Sequence, residues 1–451
     1  MNSVYFISLG CAKNLVDTEV MLGMLSQEGF LFVDNPDKAD IIIINTCAFI
    51  KDAKTEAIDT ILEMGAYKKN GSCKQLIVAG CLPQRYSSDL VKSMPEVDVF
   101  LGSGEFHRIA EILKTRKNKN VFVNKPVFLY DHNTPRIRVT EAHYAYLKIS
   151  EGCFHPCSFC VIPKLRGKYR SRKITSIIKE AKKMLDCGVK EINLIGQDTT
   201  AYGRDLKSNE NLETLLRKLA TMPYDKWIRL FYTYPHGFPI GAVHVMKAYS
   251  DICRYIDIPV QHISDEILKS MRREGSSSEI YRLMDYLRAQ MPDVSLRTSI
   301  IVGFPGETDD DFYKLVDFVS WAKFDHLGVF KYSNEEGTYA AGLKGQVPQK
   351  IIDLRFNEVM KLQQEISFDK NRGYVGKVRQ VLVERESKQG GYEARHMGQG
   401  PEVDGKVYIE KGRAKVGSFE LVKITDFSQY DLKAMVVSTS ALLREGIAYS
   451  R

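Results

Sequence analysis

From Val4 onward the chain alternates short aliphatic runs with longer stretches whose apolar residues recur at helical spacing. VYFISLG, DIIIINT and QLIVAG read as buried strands, and the stretches near Leu15 to Gln27 and Asp52 to Lys69 read as the helices between them. That rhythm predicts βαβ units and an α/β domain with a doubly wound parallel sheet over residues 1–115. The polar stretch over 116–143, with NKN, two prolines and DHNTP, reads as a linker.

A second series begins at YAYLKIS and runs through EINLIG, WIRLFYTYP, YIDIPV, SLRTSIIVG and HLGVFKYS, each followed by a helical pattern. Six such units over 144–372 predict a partial (βα)6 barrel, ended by a long amphipathic helix from about Pro348 to Arg372. Over 373–438 the period changes to two, with KVRQVLVE, KVYIEK and FELVKI separated by turn residues, which predicts a small antiparallel β-barrel. Residues 439–451 are left as a tail.

The nine cysteines matter more for where they fall than for their number. EGCFHPCSFC puts Cys153, Cys157 and Cys160 in one short loop after a predicted strand, at a spacing that can wrap three thiolates around one metal centre. Four thiolates would saturate a cubane cluster or close a zinc site, whereas three leave one iron open to a ligand. The alternative is a zinc site completed by a distant cysteine, or buried free thiols.

Cys11, Cys47 and Cys81 each end a predicted strand of the first domain. In a doubly wound sheet such strand ends share one edge, where ligands bind, so three residues far apart in sequence can converge. A second open cluster there would have an exchangeable position able to hold a sulfur species. Cys73, Cys187 and Cys253 have no comparable setting and are expected to be structural or exposed.

In a barrel the active groups lie at the carboxyl ends of the strands. Gly196 and Gln197, Gln261 and His262, and Gly303 with Glu307 occupy such ends and are the candidate cofactor contacts; Gly196 and Gly303 would let backbone approach closely.

Charge narrows the classes only a little. The net charge of +8 is modest, and the densest basic stretch, KLRGKYRSRK, reads as a solvated face or a phosphate contact. No apolar run approaches the roughly 20 residues of a membrane span. MNSVYFISLG lacks the features of a secretory leader, so a cytoplasmic protein is expected, in which cysteines serve metal or redox chemistry rather than disulfides.

SLGCAKNLVDTE, NTCAFI, VAGCLPQR, KISEGCFHPCSFCVIPKLRGKYRSR, LIGQDTTAYG, DIPVQHISDEILKSMRR and IVGFPGETDDDF together resemble the radical S-adenosylmethionine methylthiotransferases, specifically the RimO branch. The likeness runs over nearly the whole chain, and the last domain resembles a TRAM domain. It implies two 4Fe–4S clusters and S-adenosylmethionine. Cys153, Cys157 and Cys160 would hold the cluster that cleaves S-adenosylmethionine, and Cys11, Cys47 and Cys81 the auxiliary cluster that carries the sulfur to be inserted. The implied substrate is the β-carbon of an aspartate in the small-subunit ribosomal protein of the decoding centre, the twelfth of its series. The implied partners are an electron donor such as flavodoxin or ferredoxin, and a sulfur source.

Two rivals differ in class. A transfer-RNA methylthiotransferase would share both triads but is expected to carry a more basic last domain, because phosphate contacts dominate RNA affinity. From Tyr374 to Val437 there are 11 Lys and Arg against 9 Asp and Glu, which leans towards a protein substrate. A zinc-stabilised RNA-binding protein would use the same cysteines structurally.

Overall fold

The computed structural model describes residues 2–114, 120–388 and 390–438; the expected tail over 439–451 lies outside them. In the first domain a six-stranded parallel sheet is formed by β1 (Ser3–Ser8), β2 (Leu31–Phe32), β3 (Ile41–Thr46), β4 (Gln75–Gly80), β5 (Val99–Gly102) and β6 (Val121–Phe122), in the order β2-β1-β3-β4-β5-β6. Ile41 to Ile44 are buried on both faces, which is why that run is continuously aliphatic rather than alternating. The order reverses between β1 and β3, so the ligand crevice opens at their carboxyl ends.

The described part of the stretch expected as a linker, residues 120–143, is a packed strap. Its β6 pairs with β5 and so belongs to the first sheet, past the boundary expected at 115. Beyond it Arg136 bonds Glu19 of helix Ala12–Gln27 at 2.5 Å and Glu180 of helix Ile174–Asp186 at 2.7 Å, with all three side chains buried. Gly23 admits this strap: a Cβ there would lie 2.4 Å from the backbone at Pro135 and Arg136.

The second domain has six consecutive parallel strands: β7 (Tyr144–Lys148), β10 (Glu191–Ile195), β11 (Trp227–Leu230), β12 (Ile252–Asp257), β13 (Ser295–Val302) and β14 (His326–Lys331). β7 and β14 are its two edges, so the barrel is partial, as the six repeated units predict. A small antiparallel pair, β8 (Ser150–Glu151) with β9 (Arg170–Ser171), brackets the CFHPCSFC loop. Helix Gln349–Arg372 crosses β14 towards the last domain.

That last domain is a closed barrel, β15 (Val378–Glu386), β16 (Tyr392–His396), β17 (Val407–Lys411), β19 (Leu432–Val436) and β18 (Phe419–Phe427) in ring order. The small antiparallel barrel expected is antiparallel at four of its five strand pairings, and β17 and β19 run parallel. A closed ring of five strands cannot alternate direction throughout, and one parallel pair is the least it can contain.

Residues 397–406, between β16 and β17, reach under the second domain. Arg229 donates to the Met397 carbonyl at 2.7 Å, Tyr255 to Asp404 at 2.8 Å, and Tyr144 and Tyr146 to Glu402 at 2.6 and 3.0 Å. Tyr144 opens β7, so this loop closes the amino end of the barrel. The carboxyl end is left to face the first domain.

Candidate active site

Cys11, Cys47 and Cys81 meet at the crevice above β1, β3 and β4. Two glycines in the left-handed region make the bends: Gly10 at φ +90°, where a Cβ would lie 2.7 Å from that of Cys47, and Gly80 at φ +97°, where a Cβ would lie 2.4 Å from Asn45 Oδ1. Only glycine reaches these conformations without strain. Cys11 then caps helix Ala12–Gln27, and Cys81 opens helix Cys81–Ser93. Helix amino termini favour thiolate.

The three sulfurs are electrostatic neighbours. Burial pushes the Cys81 thiol up to about 12, with Cys47 and Cys11 adding to the rise and Arg166 opposing it. Cys47 is raised by burial and by Cys11. At Cys11 the low-polarity cleft works against ionisation, but Lys13 and Arg166 outweigh it and hold the thiol below its ordinary value. Mutually repelling thiols of this kind ionise together only when a cation takes the place of their protons.

The second triad sits in a loop clamped on several sides. Ser158 donates its N–H to Met271 O at 2.9 Å and its hydroxyl to Ser270 O at 2.8 Å, while its carbonyl accepts from Ala340 N at 2.8 Å. His155 bonds Asp198 at 2.7 Å and stacks on Tyr234 with ring centres 3.7 Å apart. Phe154 stacks on Tyr169 at 4.5 Å. Arg273 donates to Cys157 Sγ at 3.8 Å, and the Ile162 N–H to Cys160 Sγ at 3.4 Å.

Burial, with Cys157 adding, pushes the Cys153 thiol up to about 12; burial and both neighbouring thiols raise Cys160. Among the described residues no group of three or more His, Cys, Asp or Glu closes on a single metal ion. Thiolates around a cubane bind different irons and need no common point. Three thiolates so placed can each take one iron of a cubane and leave the fourth iron open.

A buried charged network joins the two triads across the domain boundary. Arg166, 3% exposed, bonds the Asp17 carboxylate, Asn14 Oδ1 at 3.2 Å and Cys81 Sγ at 3.6 Å. Lys148 lies 2.5 Å from Asp17 and 2.7 Å from Glu151. Glu151, two residues before Cys153, is buried, which disfavours its charge, but Lys148 and Arg166 hold its carboxyl down at about 2. Asp17 thus shares its two oxygens between cations that belong to the second domain.

Three family models match in succession: the uncharacterized protein family UPF0004 over residues 3–102, the radical SAM superfamily over 147–319 and the TRAM domain over 375–437. The chain is 48% identical to the ribosomal protein uS12 methylthiotransferase RimO of Citrifermentans bemidjiense, over 96% of this chain and 98% of that protein. With the enzyme of the same name from Geobacter sulfurreducens the figures are 47%, 96% and 98%. The chain belongs to the RimO methylthiotransferase family. It is a radical SAM enzyme, and its family takes a 4Fe–4S cluster and S-adenosylmethionine.

Solved structures share the fold at low identity. The radical S-adenosylmethionine methyltransferase TsrM of Kitasatospora setae gives a TM-score of 0.54 at 15% identity over 73% of each chain. The cobalamin-dependent radical enzyme OxsB gives 0.52 at 13% identity over 81% of this chain and 56% of that one.

The RimO family fold brings the remaining candidates to the carboxyl end of the barrel in unequal roles. Gln197 donates to Glu151 at 2.6 Å and so belongs to the network beneath the second triad. Gly196 backs onto Ser150, whose Oγ would lie 2.5 Å from an added Cβ. Gln261 adopts φ +68° and bridges to Ile300. Gly303 serves packing: a Cβ there would lie 2.3 Å from Ile352 of helix Gln349–Arg372. Glu307 accepts from the Gly303 and Phe304 N–H groups and pairs with Arg355, and His262 is buried with Nδ1 accepting from Ser264 N.

Asp17, Lys148, Glu151 and Arg166 were not among the sequence candidates. The basic stretch containing Arg166 was expected as a solvated face or phosphate contact; instead Arg166 and Arg172 are buried, the latter on Lys148 O and Glu180. Cys73 and Cys253 are buried and Cys187 is exposed, as expected.

Proposed function

We propose that this chain inserts a methylthio group at the β-carbon of an aspartate in the small-subunit ribosomal protein uS12. Cys153, Cys157 and Cys160 hold the 4Fe–4S cluster at which S-adenosylmethionine is cleaved. Cys11, Cys47 and Cys81 hold a second 4Fe–4S cluster that presents the sulfur. The observation that carries this reading is the arrangement of two three-thiol sets on facing domain edges, tied together by Asp17, Lys148, Glu151 and Arg166. The near full-length identity to uS12 methylthiotransferases supports the substrate.

When bound, the clusters and S-adenosylmethionine supply the electron, the hydrogen-abstracting radical and the sulfur. The chain's own residues position those groups and keep water away. Ser158, His155 and Asp198 fix the second loop against the barrel. Arg166 and Asp17 fix the first domain over it. Such positioning is worth on the order of 7 to 11 kcal/mol of barrier when reacting atoms are held in line.

Gly196, Gln197 and Gln261 form the barrel rim on which S-adenosylmethionine would lie, with Gln197 acting through Glu151, while Gly303 at the same strand ends makes room for Ile352. The electron comes from a carrier such as flavodoxin or ferredoxin, and the sulfur from an external source. A ribosomal substrate makes the cytoplasm the place of action; no helix among the described residues is long and apolar enough to cross a membrane.

The test is mass spectrometry of uS12 and of bulk transfer RNA from cells lacking the gene. Loss of the methylthio group from uS12 alone is expected, and loss from transfer RNA alone would overturn the substrate. Oxygen-free purified protein should be brown and bind about eight irons, as two cubanes require. A colourless zinc protein would overturn the enzyme reading.

A further inference from the structure

Lys13 stands two residues after Cys11, on the first turn of helix Ala12–Gln27, and reaches across to the second domain. Its ammonium lies over the ring of Tyr232, 3.2 Å from the centroid. Other cations at this mouth have anionic or carbonyl partners. Arg166 bonds Asp17, Lys148 bonds Asp17 and Glu151, and Arg297 bonds Asp257. Lys13 forms no salt bridge with a carboxylate among the described residues; the groups that act on its charge are the Tyr232 side chain, the Cys11 sulfur and, after them, Asp257. An aromatic face occupies one side of an ammonium and leaves its remaining donors able to take an oxygen ligand.

The surface under Lys13 is held at a cost. Tyr232 has φ +58°, unusual for a bulky side chain. Its backbone is pinned from both directions: the N–H donates to Asp257 Oδ2 at 3.0 Å, and the carbonyl accepts from Thr199 N at 2.9 Å. Strain maintained by such bonds marks a position where the direction of the side chain matters. Two residues on, Tyr234 stacks on His155 of the CFHPCSFC loop. The end of β11 therefore spans from the Lys13 and Cys11 side of the cleft to the second triad.

We propose that Lys13 is the group that grips the side-chain carboxylate of the substrate aspartate, with the Tyr232 ring as the wall against which it is held. This rests on the reading given under Proposed function and supplies its specificity. In aspartate the reacting β-carbon is bonded directly to the carboxylate carbon. A cation two residues from a sulfur-presenting cysteine, facing the second loop through Tyr232 and Tyr234, fixes that carbon between the two centres. Asp257, already bonded to Arg297 at 2.9 Å and to Tyr232 N, is the nearby counter-charge that does not pair with Lys13.

The experiment compares wild type, K13Q and K13R, each loaded with clusters and assayed for iron. Equilibrium binding is measured for uS12 carrying its target aspartate and for uS12 with that residue changed to Asn. Wild type and K13R should bind the Asp form about ten- to a hundredfold more tightly than the Asn form, the range expected for a charge-assisted hydrogen bond. K13Q should bring the ratio close to one. Because the ratio is taken within one protein, partial loss of cluster cancels.

A ratio that survives in K13Q, or a K13Q protein that binds no iron at the first triad, overturns the assignment; in the latter case Lys13 serves the cluster and not the substrate. Wild-type protein that thiolates uS12 without distinguishing the two forms in binding overturns this inference alone. Wild-type protein that neither binds nor thiolates uS12 overturns the functional reading, and this one with it.

Discussion

Arg166 Nη2 lies 3.6 Å from Cys81 Sγ, so a side chain that follows the second triad in sequence touches a sulfur of the first. The same guanidinium holds Asp17, whose other oxygen is taken by Lys148. One arginine thereby joins the two domains and places a fixed positive charge beside the first set of thiols. Positive charge and hydrogen bonds to sulfur raise the reduction potential of an iron–sulfur centre.

Replacing Arg166 by Met should act on both counts. It leaves the buried Asp17 and Glu151 sharing Lys148 alone, and breaking a buried ion pair on one side costs about 3 kcal/mol or more. The unfolding midpoint should drop by several degrees. In a redox titration followed by electron paramagnetic resonance, the first cluster should shift to lower potential while the second stays put as an internal reference. R166K should restore the charge but not the fork that spans Asp17 and Cys81, and should fall between the two. Equal shifts in both centres would show that Arg166 acts on overall structure.

The division of labour between the triads is separable by single substitutions. Cys157→Ala should abolish formation of 5′-deoxyadenosine, and Cys47→Ala should spare it while stopping thiolation. Iron should fall from about eight to about four in each. Gly80→Ala should mimic Cys47→Ala without removing a ligand. A Cβ at Gly80 would lie 2.4 Å from Asn45 Oδ1 and 2.6 Å from Thr46 O, and φ +97° is strained for alanine, so the bend presenting Cys81 cannot form. Thiolated product from the Cys47 variant would end the sulfur-donor role of the first triad.

Much of this architecture could be read from the residues because strands buried on both faces show themselves as aliphatic runs; three of the cysteines stand just past such runs and three more share one loop after a strand. Gly10 and Gly80 could have been flagged as bends, since each lies between a strand and a cysteine. The charged network was not legible. Arg166 and Asp17 are 149 residues apart, and a lysine or arginine in a basic stretch carries no local sign of burial. Gly303 was a candidate for cofactor approach because it ends a strand; that its missing Cβ makes room for Ile352 emerges only once helix Gln349–Arg372 is in place. The parallel pair closing the last barrel follows from ring closure and not from any feature of β17 or β19.

The contact between the last barrel and the second domain carries its own pH dependence. His396 is buried, and its Nδ1 accepts the Gly398 N–H at 2.9 Å, a bond that requires that nitrogen to be unprotonated. Burial, together with the positive charges of His326, Arg379, Arg229 and Arg395, lowers its folded pKa to about 3, against 6.5 for the free side chain. The unfolded chain therefore takes up a proton before the folded one does. The full contribution to stability is present above pH 6.5 and is lost as pH falls towards 3, at about 1.4 kcal/mol per pH unit once below 6.5. Between pH 7.5 and 5.5 the loss from this residue should be about 1.4 kcal/mol. His396→Gln has no proton to gain, so its unfolding midpoint, though lower at pH 7.5, should decline less over that interval than that of wild type. Parallel declines would mean that the imidazole takes up its proton as readily in the folded chain as in the unfolded one, and that the Gly398 bond does not hold Nδ1 unprotonated.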